Sequence, residues 1–81
     1  MATTTEIIMP QLGFDMQEGT LQHWLKHEGD HVLRGEPIAE VETEKVTLQV
    51  ESYATGTITK ILRREGEVVP VGEKIAEMTE D

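Results

Sequence analysis

The 81-residue chain contains no cysteine. That absence excludes disulfide staples, thiol nucleophiles and thiolate metal sites together. Aromatic residues are nearly missing as well, with one Phe, one Trp and one Tyr, so a core must be assembled from Val, Ile, Leu, Met and Ala. Bases are scarce: seven Lys and Arg stand against sixteen Asp and Glu, a formal charge of −9. Such a surface repels phosphate backbones and anionic lipid, which argues against nucleic-acid and membrane partners. No apolar run approaches the roughly 20 residues needed to cross a bilayer. The opening Met1-Ala2-Thr3-Thr4-Thr5 has neither the charge and apolar stretch of a signal peptide nor the arginines of a transit peptide. The chain is also short for an enzyme with a deep cleft. The expectation is a small, acidic, intracellular domain whose function sits on its surface.

What the chain does have is an internal repeat. Shifted by 37 residues, Gly19 to Glu44 lies over Gly56 to Asp81 with 11 of 26 positions identical, among them Gly19/Gly56, Gly29/Gly66, Gly35/Gly72 and Ile38/Ile75. Two copies are too few for a solenoid and imply two similar halves packed with pseudo-two-fold symmetry.

Strand signals dominate each unit. The glycines at 29, 35, 66 and 72 interrupt too often for a stable helix. Val46, Leu48 and Val50 alternate with Thr47, Gln49 and Glu51, the period of a strand with one wet face. Strands are expected near 6–9, 19–25, 37–43, 46–51, 56–62 and 74–78, with very short ones at Val32 and Val69. Pro10, Pro37 and Pro70 suit strand ends or edges, where a missing N–H costs nothing. The fold class is all-β, a flattened sandwich or barrel.

Lys45 is conspicuous. Between Glu36 and Glu51 it is the sole base among five glutamates, and it falls between two strand patterns, where a tight hairpin places it at the tip. Nothing in Glu42-Thr43-Glu44-Lys45-Val46 supplies the Asn-Gly or Gly-X of favoured hairpin turns. Acidic neighbours favour the ammonium form, the opposite of what a nucleophilic or Schiff-base lysine needs. An attachment point modified by another enzyme is compatible with it; so is an ordinary solvated lysine.

The run Met9-Pro10-Gln11-Leu12-Gly13-Phe14-Asp15-Met16-Gln17-Glu18-Gly19, followed by Trp24, Glu28-Gly29-Asp30 and Glu42-Thr43-Glu44-Lys45-Val46, resembles the lipoyl domain of 2-oxo acid dehydrogenase complexes, in particular that of dihydrolipoamide acyltransferases. The resemblance covers roughly Ile7 to Met78. It implies two four-stranded antiparallel sheets related by a pseudo-two-fold axis, a domain over 6–79, a disordered lead over 1–5 and the start of a linker at 80–81. It implies (R)-lipoate covalently attached to Lys45, with Glu42, Thr43, Glu44 and Val46 recognised around it. Family members usually carry Asp-Lys-Ala where this chain has Glu44-Lys45-Val46. The implied partners are a thiamin-dependent decarboxylase (E1), the acyltransferase core (E2), a flavin-dependent dihydrolipoyl dehydrogenase (E3) and a lipoate ligase or lipoyltransferase. The domain alone is then a non-catalytic, monomeric carrier within a transferase, handing an acyl group from decarboxylase to coenzyme A. The Met9-Pro10-x-Leu12-Gly13 opening resembles pyruvate- or acetoin-type acyltransferases. The compartment implied is the bacterial cytoplasm, or the mitochondrial matrix for a trimmed eukaryotic chain.

Other readings compete. A biotinyl carrier shares the fold and the lysine, but its lysine is usually flanked by methionines. The glycine-cleavage carrier is longer and lacks the Met9-Pro10 opening. A small β interaction module with an incidental lysine also fits the composition. His23, His27 and His31 have helical spacing for a metal, yet Gly29 and the strand signals oppose a helix, and the repeat puts Lys60, Arg64 and Val68 at those positions. No metal is therefore expected. Trp24 aligns with Ile61 and reads as a core or half-buried residue. In the resembling family the loop Gly13, Phe14, Asp15 and Met16 lies beside the modified turn and helps the decarboxylase recognise its domain; here those residues could also simply cover the end of the core.

Overall fold

The structure, a computed structural model, describes residues 3–13, 16–44 and 46–81; Met1, Ala2, Phe14, Asp15 and Lys45 lie outside the described residues. Among the described residues there is no helix. The chain runs through β1 (Thr3–Ile8), β2 (Glu18–Trp24), β3 (His31–Val32), β4 (Pro37–Glu42), β5 (Thr47–Glu51), β6 (Gly56–Ile61), β7 (Val68–Pro70) and β8 (Lys74–Glu80). Two four-stranded sheets result, in the orders β1-β8-β6-β3 and β5-β4-β2-β7, with every pairing antiparallel.

The 37-residue repeat maps one sheet onto the other. Under it β2, β3 and β4 become β6, β7 and β8, and β5 takes the place of β1. Irregularities obey the same rule: the β2–β4 ladder shifts register between Leu21 and His23, and the β6–β8 ladder shifts between Ile58 and Lys60. Gly29, Gly35, Gly66 and Gly72 all have φ between 89° and 94°. They sit at equivalent turns where an L side chain would be strained, which is why the repeat keeps glycine there. The halves also cap each other. Trp24 N–H donates to Glu65 Oε2 and Ile61 N–H donates to Glu28 Oε2, each at 2.8 Å and each across the repeat.

The core between the sheets is made of matching pairs: Leu21 and Ile58, Val32 and Val69, Ile38 and Ile75, Ala39 and Ala76, Val41 and Met78, all without exposed surface. Trp24 joins them as expected, and its indole N–H is satisfied by the Arg63 carbonyl at 2.9 Å. The three histidines are exposed and stand beside different acids, Glu65, Asp30 and Asp81.

One boundary differs from the sequence expectation. Instead of an unstructured lead over 1–5, Thr3, Thr4 and Thr5 pair with Glu80, Thr79 and Met78, and the Thr5 hydroxyl donates to the Glu80 carboxylate. Strand β8 correspondingly runs through Glu80 rather than giving way to linker there. Three threonines carry no apolar alternation, but they are β-branched and suit a pleated edge. The ladder that orders them comes from the far end of the sequence, at Met78 to Glu80.

Candidate functional site: the β4–β5 turn and its neighbouring loop

The sheets extend past the core at the β4–β5 end. Along β5 and the residue before it, Val46 is 51% exposed, Leu48 is half-buried and Val50 is 3% exposed. The apolar face that the alternation predicts therefore loses its cover step by step towards the turn. The last ladder pair is Glu42 and Thr47, so the chain reverses within 43–46. Lys45, the expected attachment residue, lies outside the described residues.

The turn is closed by one residue pair. Thr43 N–H donates to the Val46 carbonyl at 2.8 Å, the Thr43 hydroxyl donates to the same carbonyl at 3.0 Å, and Val46 N–H donates back to Thr43 Oγ1 at 3.3 Å. Glu44 does not have a positive φ. Types I′ and II′ both require one at the first central residue, so this turn is neither of the forms that match strand twist. The Glu42 and Glu44 side chains are exposed and carry no ion pair among the described residues.

Beside the turn runs an open groove. Leu12, Gly13 and Met16 form one wall, and Glu42, Thr43 and Val46 the other. The structure thus brings together the predicted recognition residues of loop and turn that it describes: Gly13 and Met16 with Glu42, Thr43, Glu44 and Val46. Phe14 and Asp15, the remaining members, lie outside the described residues. Met16 is packed against the core, receives the Leu12 N–H on its sulfur at 3.2 Å and donates its own N–H to the Gly13 carbonyl at 3.3 Å.

Gly19 is a contributor that the functional reading of the sequence missed. A Cβ there would collide with Val41 Cγ1 and approach Met16 Cε to 3.0 Å. Glycine lets Met16 settle onto β2 and fixes that wall of the groove. The signal was present as the Gly19/Gly56 identity, but nothing in it distinguished a packing need from a turn.

Comparisons with known proteins agree with this geometry. The profile of the biotin/lipoyl family, described as "Biotin-requiring enzyme", matches residues 5–78. The dihydrolipoyllysine-residue succinyltransferase component of the 2-oxoglutarate dehydrogenase complex from Rickettsia bellii is 48% identical over 93% of this chain and 19% of its own length. The pyruvate dehydrogenase E1 component subunit beta of Rhizobium meliloti is 51% identical over 94% of this chain and 17% of its own. The chain thus spans less than a fifth of the length of these curated relatives. The solution structure of the lipoyl domain of the 2-oxoglutarate dehydrogenase complex from Azotobacter vinelandii superposes with a TM-score of 0.74 at 36% identity, covering 93% of this chain and 95% of that one. On the profile match over residues 5–78 and the likeness to a solved lipoyl domain, this chain belongs to the biotin/lipoyl domain family, on the branch of lipoyl domains of 2-oxo acid dehydrogenase complexes.

Proposed function

We propose that the chain is a lipoyl carrier whose acceptor is Lys45 Nζ, and that it serves an acyltransferase of a pyruvate (or acetoin) dehydrogenase complex. The observation that carries this reading is the β4–β5 turn. Thr43 and Val46, which flank Glu44 and Lys45 in sequence, close it with three hydrogen bonds, and Glu44 and Val46 are exposed. A covalently tethered group needs an accessible amine and a surface that other enzymes can grip, not an enclosing pocket. The open groove and the exposed flanks fit that need.

Lipoate, once attached, supplies the dithiolane that carries the acyl group and its two electrons. The chain's own residues do the rest. The two sheets hold the turn away from the body, and tethering keeps the cargo at high local concentration near successive partners. Glu42 and Glu44 carry no ion pair among the described residues, and amide formation, by removing the charge of Lys45, leaves the turn segment more acidic. Gly13 and Met16, on the facing wall, with Phe14 and Asp15 between them in sequence, give a decarboxylase a second feature to read. The partners are then a thiamin-dependent decarboxylase, the acyltransferase core, a flavin-dependent dihydrolipoyl dehydrogenase and a lipoate ligase, in a bacterial cytoplasm or a mitochondrial matrix.

The choice of complex is supported by the Met9-Pro10-x-Leu12-Gly13 opening and by the name of the Rhizobium relative. The assignment is tested by offering the chain lipoate with a lipoate ligase and biotin with a biotin ligase, then weighing the intact protein. Uptake of one lipoyl group and no biotin is expected; biotin alone would replace the carrier reading with a biotinyl one. Reductive acylation with pyruvate, acetoin and 2-oxoglutarate decarboxylases then tests the complex. Replacing Met16 by Ala should slow acylation by the cognate decarboxylase severalfold while leaving lipoylation unchanged.

A further inference from the structure

The three bonds between Thr43 and Val46 single out one side chain. In a regular antiparallel ladder, a hydrogen-bonded pair exchanges two backbone bonds. Here the first is made, Thr43 N–H to the Val46 carbonyl at 2.8 Å. The second is taken over by the side chain, because Val46 N–H donates to Thr43 Oγ1 at 3.3 Å instead of to the Thr43 carbonyl. The hydroxyl proton is used as well, on the Val46 carbonyl at 3.0 Å. A hydroxyl has one donor and two acceptor lone pairs, so these two roles are compatible. Four-residue hairpin loops lack the intrinsic twist match of the two-residue primed turns, and Glu44 is excluded from the latter by its φ. No glycine or asparagine is present between Glu42 and Thr47 to make the reversal conformationally easy. A side-chain hydroxyl therefore substitutes for turn chemistry that the sequence does not contain.

We infer that Thr43 is the positioning residue of the attachment turn: its hydroxyl locks the 43–46 reversal in the one conformation that a lipoylating enzyme engages. This rests on the carrier reading above, and it goes beyond it by naming what sets the efficiency of modification. Without the hydroxyl the turn samples several conformations. The apparent KM of the ligase for the domain then rises by the inverse of the competent fraction, while kcat is unchanged. Loss of the second closure bond predicts a rise of about two- to tenfold.

The test compares wild type, Thr43→Val, Thr43→Ser, Lys45→Arg and a control, Thr59→Val, in a lipoylation assay with separate kcat and KM. Thr59 is an exposed strand threonine whose hydroxyl bonds the Glu77 carbonyl at 3.2 Å, so its replacement removes the same type of bond far from the turn. Thr43→Val should raise KM alone, Thr43→Ser should restore it, and Thr59→Val should leave it unmoved. In parallel, hydrogen exchange at the Val46 amide, followed by NMR on the unmodified domain, should accelerate in Thr43→Val and not in Thr43→Ser. Unchanged KM in Thr43→Val overturns the inference. So does a raised KM with undisturbed Val46 exchange, which would mean that the ligase touches the hydroxyl directly. An equal effect in Thr59→Val assigns the loss to general destabilisation and overturns it too. If wild type accepts no lipoate, the carrier reading falls with it; if wild type and Thr43→Val accept lipoate with the same KM, the inference fails and the carrier reading stands alone.

Discussion

The two ends of the molecule are built from the same repeat and do different things. At one end, β4 and β5 are joined through 43–46. At the other, the equivalent strands β8 and β1 are not joined, and Glu80 and Thr3 are paired where the turn would be. The connectors differ as well. Ten residues separate Ile8 from Gly19, whereas four separate Glu51 from Gly56. The longer connector folds beside the lysine turn and makes the groove; the shorter one is tied to the opposite end, with Asp81 N–H on the Thr55 carbonyl at 3.0 Å. Strand β5 runs from the turn to that far end, so its length separates them. Symmetry supplies a stable body, and the departures from symmetry supply the function.

If the halves are equivalent in the core, Ile38→Ala and Ile75→Ala should each cost about 2–5 kcal/mol, because both side chains are fully buried at matching positions. That is a large share of the stability of so small a domain. Urea denaturation should give two similar midpoint shifts, and a pair differing by more than half would break the equivalence.

The paired glycines should diverge. A methyl at Gly56 meets the Thr79 carbonyl oxygen and lies 2.9 Å from Glu80 Cα, both backbone, whereas at Gly19 it meets the side chains of Val41 and Met16. Overpacking of this kind costs about 1–3 kcal/mol, with Gly56→Ala at the upper end because backbone yields less than side chains. Thermal unfolding ranks the two. Gly19→Ala should slow reductive acylation the more, since it displaces Met16; the reverse ranking would detach the groove from recognition.

A smaller effect concerns the reciprocal caps. Removing the Glu28 or Glu65 carboxylate by alanine should cost about 0.5–1.5 kcal/mol each. A double-mutant cycle with near-additive losses would show that the two halves are capped independently.

Smallest are the pH effects. The Glu36 carboxyl is held below its usual 4.5 by the Leu33 N–H, with Lys26 at 3.1 Å assisting. A lowered folded pKa means that its contribution is present above the unfolded value and lost as the pH falls through the folded one, so stability should decline below about pH 4.5 less steeply in Glu36→Gln. The Lys74 ammonium is raised above 10.5 by its hydrogen bond to Glu6. Its contribution is full below 10.5 and lost as pH rises through the folded value, so Lys74→Met should flatten the alkaline limb. Denaturant midpoints across pH measure both slopes, and unchanged slopes would remove these pairs from the account.

Much of the architecture was legible because local and repeated signals coincide. Alternation over 46–51, the prolines at strand ends and the glycines at 29, 35, 66 and 72 located the strands, and the offset of 37 revealed the pairing of halves. The strand at Thr3–Thr5 was not legible, since its order comes from a partner near the other end of the chain. Gly19 could be seen as a repeated glycine, but the close approach of Val41 and Met16 exists only in three dimensions. The position of the turn and its unfavourable composition are legible in the sequence; that a threonine hydroxyl closes it follows from distances that no sequence pattern encodes.

Peptide mapping after incubation with lipoate, ATP and a lipoate ligase, for wild type and Lys45→Arg in parallel, tests whether Lys45 carries the function. One lipoyl group is expected on the peptide containing Lys45 in wild type, and none on the folded Lys45→Arg chain. A lipoyl group on any other lysine, or its absence from folded wild type, would contradict it.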